Sequence, residues 1–128
     1  MSNDRYDPFD GALGFSLGVR AGDTVYVAGM IGLDSTDLSV PDDIESQMRI
    51  AYRNVAEVLD HFGCTMADVV TQTVFFVGEA DAAVAAGGAV RAEVFGTGLP
   101  ASAMVGVARL VDPRFLVEIQ ATAVRPTD

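Results

Sequence analysis

One acidic residue stands inside an otherwise apolar run near the end of the sequence, Glu118 in FLVEIQATAV. A carboxyl group withdrawn from water can act as a general acid or base, or position a water molecule. It can equally be structural, accepting hydrogen bonds from backbone or from Arg109 across a boundary between copies. Earlier, LPASAMVGVARL carries a single side-chain hydroxyl, Ser102. Nothing near it supplies a base in the manner of a triad, so a nucleophile reading is weak. His61, the one histidine, falls in LDHFG at the end of a helical pattern, where a cation complements the helix dipole. Arg20 and Arg114, at a strand end and in a turn, could each hold an anion or be a solvated surface charge.

Composition removes several chemistries. All eight basic residues are arginine, so neither a lysine Schiff base nor a P-loop lysine is available. AAGGAV therefore reads as close packing of a helix on a sheet rather than a phosphate loop. One cysteine, Cys64, and one histidine build neither a disulfide nor a usual zinc site, and no metal or cofactor is expected. Eighteen acidic residues against eight basic give a net charge of −10, which argues against nucleic acid or an anionic membrane as partner. MSNDRYDPFDG is polar and acidic, and no run of roughly eighteen apolar residues occurs, so a cytoplasmic protein is expected.

These residues must be positioned by short elements. Phe15–Arg20 and Thr24–Ile31 flank AGD, a tight reversal, and read as a hairpin. Ile44, Met48, Ala51, Tyr52, Val55, Val58, Leu59 and Phe62 recur at helical spacing, with Pro41 and DDIE before them and Gly63 as the stop. CTMADVV reads as a turn with Thr65 as a cap, VVTQTVFFV as a third strand, and EADAAVAAGGAVRAEVFG as a second helix. Strand four lies in LPASAMVGVARL and strand five in FLVEIQATAV. The order ββαβαββ predicts one α+β domain over 1–128, with 1–12 as an N-terminal extension.

Alternation assigns the faces. On strand five, Phe115, Val117, Ile119, Ala121 and Ala123 should pack under the helices, leaving Glu118 on the other face. On strand four, Ala103, Val105 and Val107 are expected on the helix side, with Ser102, Met104, Gly106 and Ala108 opposite. Thr71, Thr73, Phe75 and Val77, with Thr24, Tyr26, Ala28 and Met30, complete the second face. Two helices cover only one side of such a sheet, so the second is expected to bury itself against copies of the same chain.

GDTVYVAGMIGLD, RNVAEVLDHFG, VVTQTVFFV and LPASAMVGVARL…LVEIQATAV resemble the Rid (RidA/YjgF-type) family, from about Leu13 onward. The resemblance implies a chorismate-mutase-like fold, one mixed sheet with two helices on one face, and a homotrimer with its pocket between subunits. The best-known members hydrolyse enamines and imines to a 2-keto acid and ammonia. Their carboxylate-binding arginine follows Pro-Ala; here Pro100 and Ala101 are followed by Ser102. The family's tyrosine, serine and asparagine correspond to Phe15, Ala28 and a position near Gly88, while Gly29 and the glutamate, Glu118, are retained. Met104 replaces a small residue and is expected to fill part of the pocket.

The resemblance therefore implies an imine/enamine hydrolase in which Glu118 handles the proton or orients water. Phe15, Ala28, Met30 and Met104 would form apolar walls, and activity on 2-imino acids would be weak without the motif arginine. The alternative is a non-catalytic trimer that binds a small ligand or regulates a partner. A ribonuclease reading, attached to some members, fits poorly with the charge of −10 and the lack of a basic stripe.

Overall fold

The structure is a computed structural model and describes residues 3–126. In chain order the elements are β1 Asp4–Tyr6, β2 Gly18–Ala21, β3 Thr24–Ile31, α1 Ile44–His61, β4 Val69–Phe76, α2 Ala80–Phe95, β5 Ala101–Gly106 and β6 Val117–Val124, with a 3-10 turn at Met66–Asp68 before β4. They form one six-stranded mixed sheet in the order β1-β2-β3-β6-β4-β5. The β4–β5 pairing is parallel and the others are antiparallel. The core lies between this sheet and the two helices.

Local chemistry accounts for the boundaries. Gly22 adopts a positive φ of 61° in the β2–β3 turn, which a side chain would disfavour. Asp43 caps α1 by accepting from the Ser46 amide, and at the other end the Cys64 amide donates to the Leu59 carbonyl around Gly63. His61 closes α1 and stacks on Tyr6 with ring centroids 4.0 Å apart. The expected stripe is buried, Ala51, Val55 and Leu59 completely. Thr65 caps the 3-10 turn, its amide donating to the Asp68 carboxylate.

Three expectations change. Residues 4–6, read as part of an extension, form an edge strand on β2. The facing of β5 is inverted: Ser102 pairs with Gln72, Met104 with Val74 and Gly106 with Phe76, and those three β4 residues are buried beneath the helices. Ser102, Met104 and Gly106 therefore share the helix side, and Ala101, Ala103 and Val105 face outward. Finally, the β3–β6 register slips between Val27 and Met30, so that Met30 pairs with Ile119 and is buried in the core. A bulge reverses the alternation that would have put Met30 on the open face.

Candidate functional site

The site residues fall into two groups on opposite sides of the sheet. Glu118 projects from β6 on the open face, where its pairs are Ile31 on β3 and Phe75 on β4. It is half-buried, and among the described residues its carboxylate has neither a side-chain hydrogen bond nor an ion pair. Gly29, at the bulge, is why it fits: a Cβ there would lie 2.5 Å from Glu118 Oε2. Ala28 is beside it, half-buried, and its amide donates to the Leu17 carbonyl, holding the segment after Phe15 against β3. Phe15 itself is 53% exposed.

A buried clip fixes the chain just before Glu118. Gln47 on α1 is fully buried; its Nε2 donates to the carbonyls of Pro41 and Arg114, and its Oε1 accepts from the Leu116 amide. One side chain thus ties the helix start to the entry of β6. Asn54, also on α1, donates to the Ile31 and Leu33 carbonyls and holds the end of β3.

The second group lies on the helix side at the β5 edge. A cleft of about 360 Å³ opens there, its walls including Gln72, Gly87, Gly88, Arg91, Pro100 and Ser102. The structure thus brings together Gly88 and Ser102, two of the sequence-selected residues. Met104 lies outside the cleft, packed against the core, and Met30 is buried in the core rather than on the open face expected from sequence. Beneath the cleft runs a polar chain: the Tyr52 hydroxyl donates to Gln72 Oε1, and Gln72 Nε2 donates to Ser102 Oγ. Burial pushes the Tyr52 hydroxyl up from its ordinary pKa, opposed by Gln72 and by the nearby charge of Arg91.

The glycines of α2 serve a different purpose from the one expected. A Cβ at Gly87 would meet the Arg91 guanidinium at 2.9 Å rather than the sheet, and a Cβ at Gly88 would meet nothing within 4 Å. Arg91 is the functional candidate that sequence reasoning missed. Its spacing of four and three residues from the two glycines puts it on their side of the helix, a readable signal.

Three arginines singled out in the sequence are committed elsewhere. Arg20 is bound to Asp4 and donates to the Gly22 carbonyl. Arg114 is held by both Asp112 oxygens, which keeps the Asp112 carboxyl below the usual range. Arg109 donates to the Leu110 and Val111 carbonyls. None of the three lines the cleft.

No helix of the described residues is long and apolar enough to cross a membrane. The family model described as endoribonuclease L-PSP matches residues 8–125. A RutC family protein of Pyrococcus horikoshii is 34% identical over 110 residues, 85% of each chain. A 2-iminobutanoate/2-iminopropanoate deaminase of Mus musculus is 34% identical over 87% of this chain and 81% of its own. Among solved structures, a Mycobacterium tuberculosis member of the YjgF/YER057c/UK114 family superposes with a TM-score of 0.82 at 34% identity, covering 96% of this chain and 99% of that one. With its two helices on one mixed six-stranded sheet and a family match running almost end to end, the chain belongs to the endoribonuclease L-PSP family, the YjgF/RidA group.

Proposed function

We propose that this protein hydrolyses a small imine or enamine, with Glu118 as the proton-transferring group, in a site shared between copies of the chain. The observation that carries this reading is the unpaired Glu118 carboxylate, seated against Gly29 on an open sheet face. In the reaction, the carboxylate takes a proton from water as the oxygen attacks the C=N carbon. It returns that proton to nitrogen, and collapse of the carbinolamine releases ammonia and leaves a carbonyl compound. The named activity of the mouse relative is the same class of chemistry.

Glu118 and Ser102 stand on opposite faces of one sheet, so one protomer cannot offer both to a single small molecule. A homotrimer resolves this by laying one copy's open face on the next copy's β5 edge. The apolar side chains on that face, Tyr26 at 51% and Val105 at 40% exposed, favour such burial. Sedimentation equilibrium is expected to give three times the 13.4 kDa chain mass. A stable monomer at micromolar concentration overturns the shared site. A lone, buried cysteine, Cys64, fits a cytoplasmic location.

The deciding experiment generates 2-iminobutanoate in situ with an amino acid oxidase and follows keto-acid release against the spontaneous rate. Acceleration that Glu118→Gln lowers by roughly a hundredfold supports the reading. Equal rates with and without protein, on 2-iminobutanoate and on an uncharged small imine alike, overturn it. They would favour a ligand-binding or regulatory trimer, which the exchange of polar groups for Phe15, Ala28 and Gly88 also fits. RNA cleavage is disfavoured by the net charge of −10.

A further inference from the structure

We infer that the Arg91 guanidinium, with the Ser102 hydroxyl, binds the carboxylate of a small aliphatic acid in the cleft between α2 and β5. Arg91 Nε donates to the Gly87 carbonyl at 3.0 Å, which anchors the guanidinium across the helix. Nη2 lies over Gly87, 2.9 Å from where a Cβ would stand, so any larger residue would displace the group. Two adjacent glycines weaken a helix. The first of them is explained by the arginine it accommodates.

The guanidinium carries no ion pair among the described residues, in a chain with eighteen acidic side chains. No Asp or Glu lines the cleft. Gln72, 3% exposed, commits its Oε1 to Tyr52 and its Nε2 to Ser102 Oγ. Since Ser102 Oγ already accepts, its own hydrogen is free to be donated into the cleft. What the cleft presents is therefore positive charge and donors, and the chemistry that answers it is an anion. A planar guanidinium suits a carboxylate, two N–H groups matching two oxygens.

Size and surroundings narrow the ligand. Leu99, Pro100 and Ala92 give apolar walls, and the volume of about 360 Å³ suits a short aliphatic chain. The net charge of −10 repels polyanions and leaves a monocarboxylate as the best match. The inference names the ligand class of the proposed site and rests on that reading for the reaction, while carboxylate binding can be measured without turnover.

The probe is 2-oxobutanoate, titrated into the intact oligomer by calorimetry and amide NMR, with 2-butanone as the analogue lacking the carboxylate. Saturable 2-oxobutanoate binding that shifts the Gly87 and Gly88 amides is expected, with much weaker 2-butanone binding. Arg91→Met should lower the affinity roughly ten- to hundredfold, and Arg91→Lys should restore only part of it. Melting temperature and sedimentation of both variants should match the parent, which separates lost binding from lost fold. Gly87→Ala, which leaves the charge but displaces the group, should also weaken binding. No binding by the parent protein, or equal binding by Arg91→Met or of 2-butanone, overturns the inference. Arg91-dependent binding without imine hydrolysis sustains it and removes the hydrolase reading. Imine hydrolysis with kcat/KM unchanged in Arg91→Met does the reverse.

Discussion

An alanine at position 29 would put a methyl group 2.5 Å from Glu118 Oε2 and 2.7 Å from its Cδ. Nonbonded atoms settle near about 3.5 Å, so the carboxylate must retreat by roughly 1 Å. The backbone at Gly29 lies outside the left-handed region, and alanine can adopt it without strain. Only the flexible end of Glu118 has to give, at a cost of about 0.5–1.5 kcal/mol if it leaves its rotamer. The fold should survive, with a melting temperature lower by roughly 2–8 °C. Activity should not: a reacting group misplaced by about 1 Å can lose on the order of a hundredfold in rate. The assay is keto-acid release from 2-iminobutanoate, run on the parent, Gly29→Ala, Glu118→Gln and the double variant. The two substitutions act on one carboxylate, so their effects should not add. Parental turnover in Gly29→Ala, or additive losses in the double variant, would refute the placement of Glu118 at the reacting centre.

Gln47→Leu removes three hydrogen bonds from a fully buried side chain and should cost about 3 kcal/mol, read by chemical denaturation. The Asp43 carboxyl is held below its ordinary pKa of 3.8 by the Ser46 amide it accepts from, so its capping contribution is complete above that value. That contribution should fade as pH falls through the folded-state pKa, and melts of Asp43→Asn should lose less stability than the parent over that acid range. Burial pushes the Cys64 thiol up, so native protein should resist alkylation at neutral pH, reacting only when denatured.

The elements with one clear burial direction were legible in the sequence. The α1 stripe, the Gly22 turn and the alternation of β6 each follow from a single periodicity, and the structure has them where expected. Strand β5 was not legible in this way. Its residues are small or apolar on both faces, so its facing is set by parallel pairing with β4, which no local pattern encodes. Strict alternation through Gly29 puts Met30 on the open face, whereas a glycine inside a strand is itself a sign of the bulge that turns Met30 into the core. The burial of Gln47 has no local signature, because the backbone groups it binds lie in the loop before the helix and, for Arg114 and Leu116, almost seventy residues further along the chain. Arg91 was masked by the glycines beside it, whose role depends on a side chain one turn away.

The shared site is tested most directly by mixing two disabled chains. Glu118→Gln removes the proposed proton carrier on the open face, and Gly88→Trp fills the cleft where a Cβ now meets open space. Each variant alone should assemble and be inactive. Unfolded together in equal amounts and refolded, random trimers should pair an intact Glu118 with an intact cleft at about one interface in four. Imine hydrolysis should return to about a quarter of the parental rate per chain. Activity no greater than the sum of the two separate variants would contradict a site built between copies.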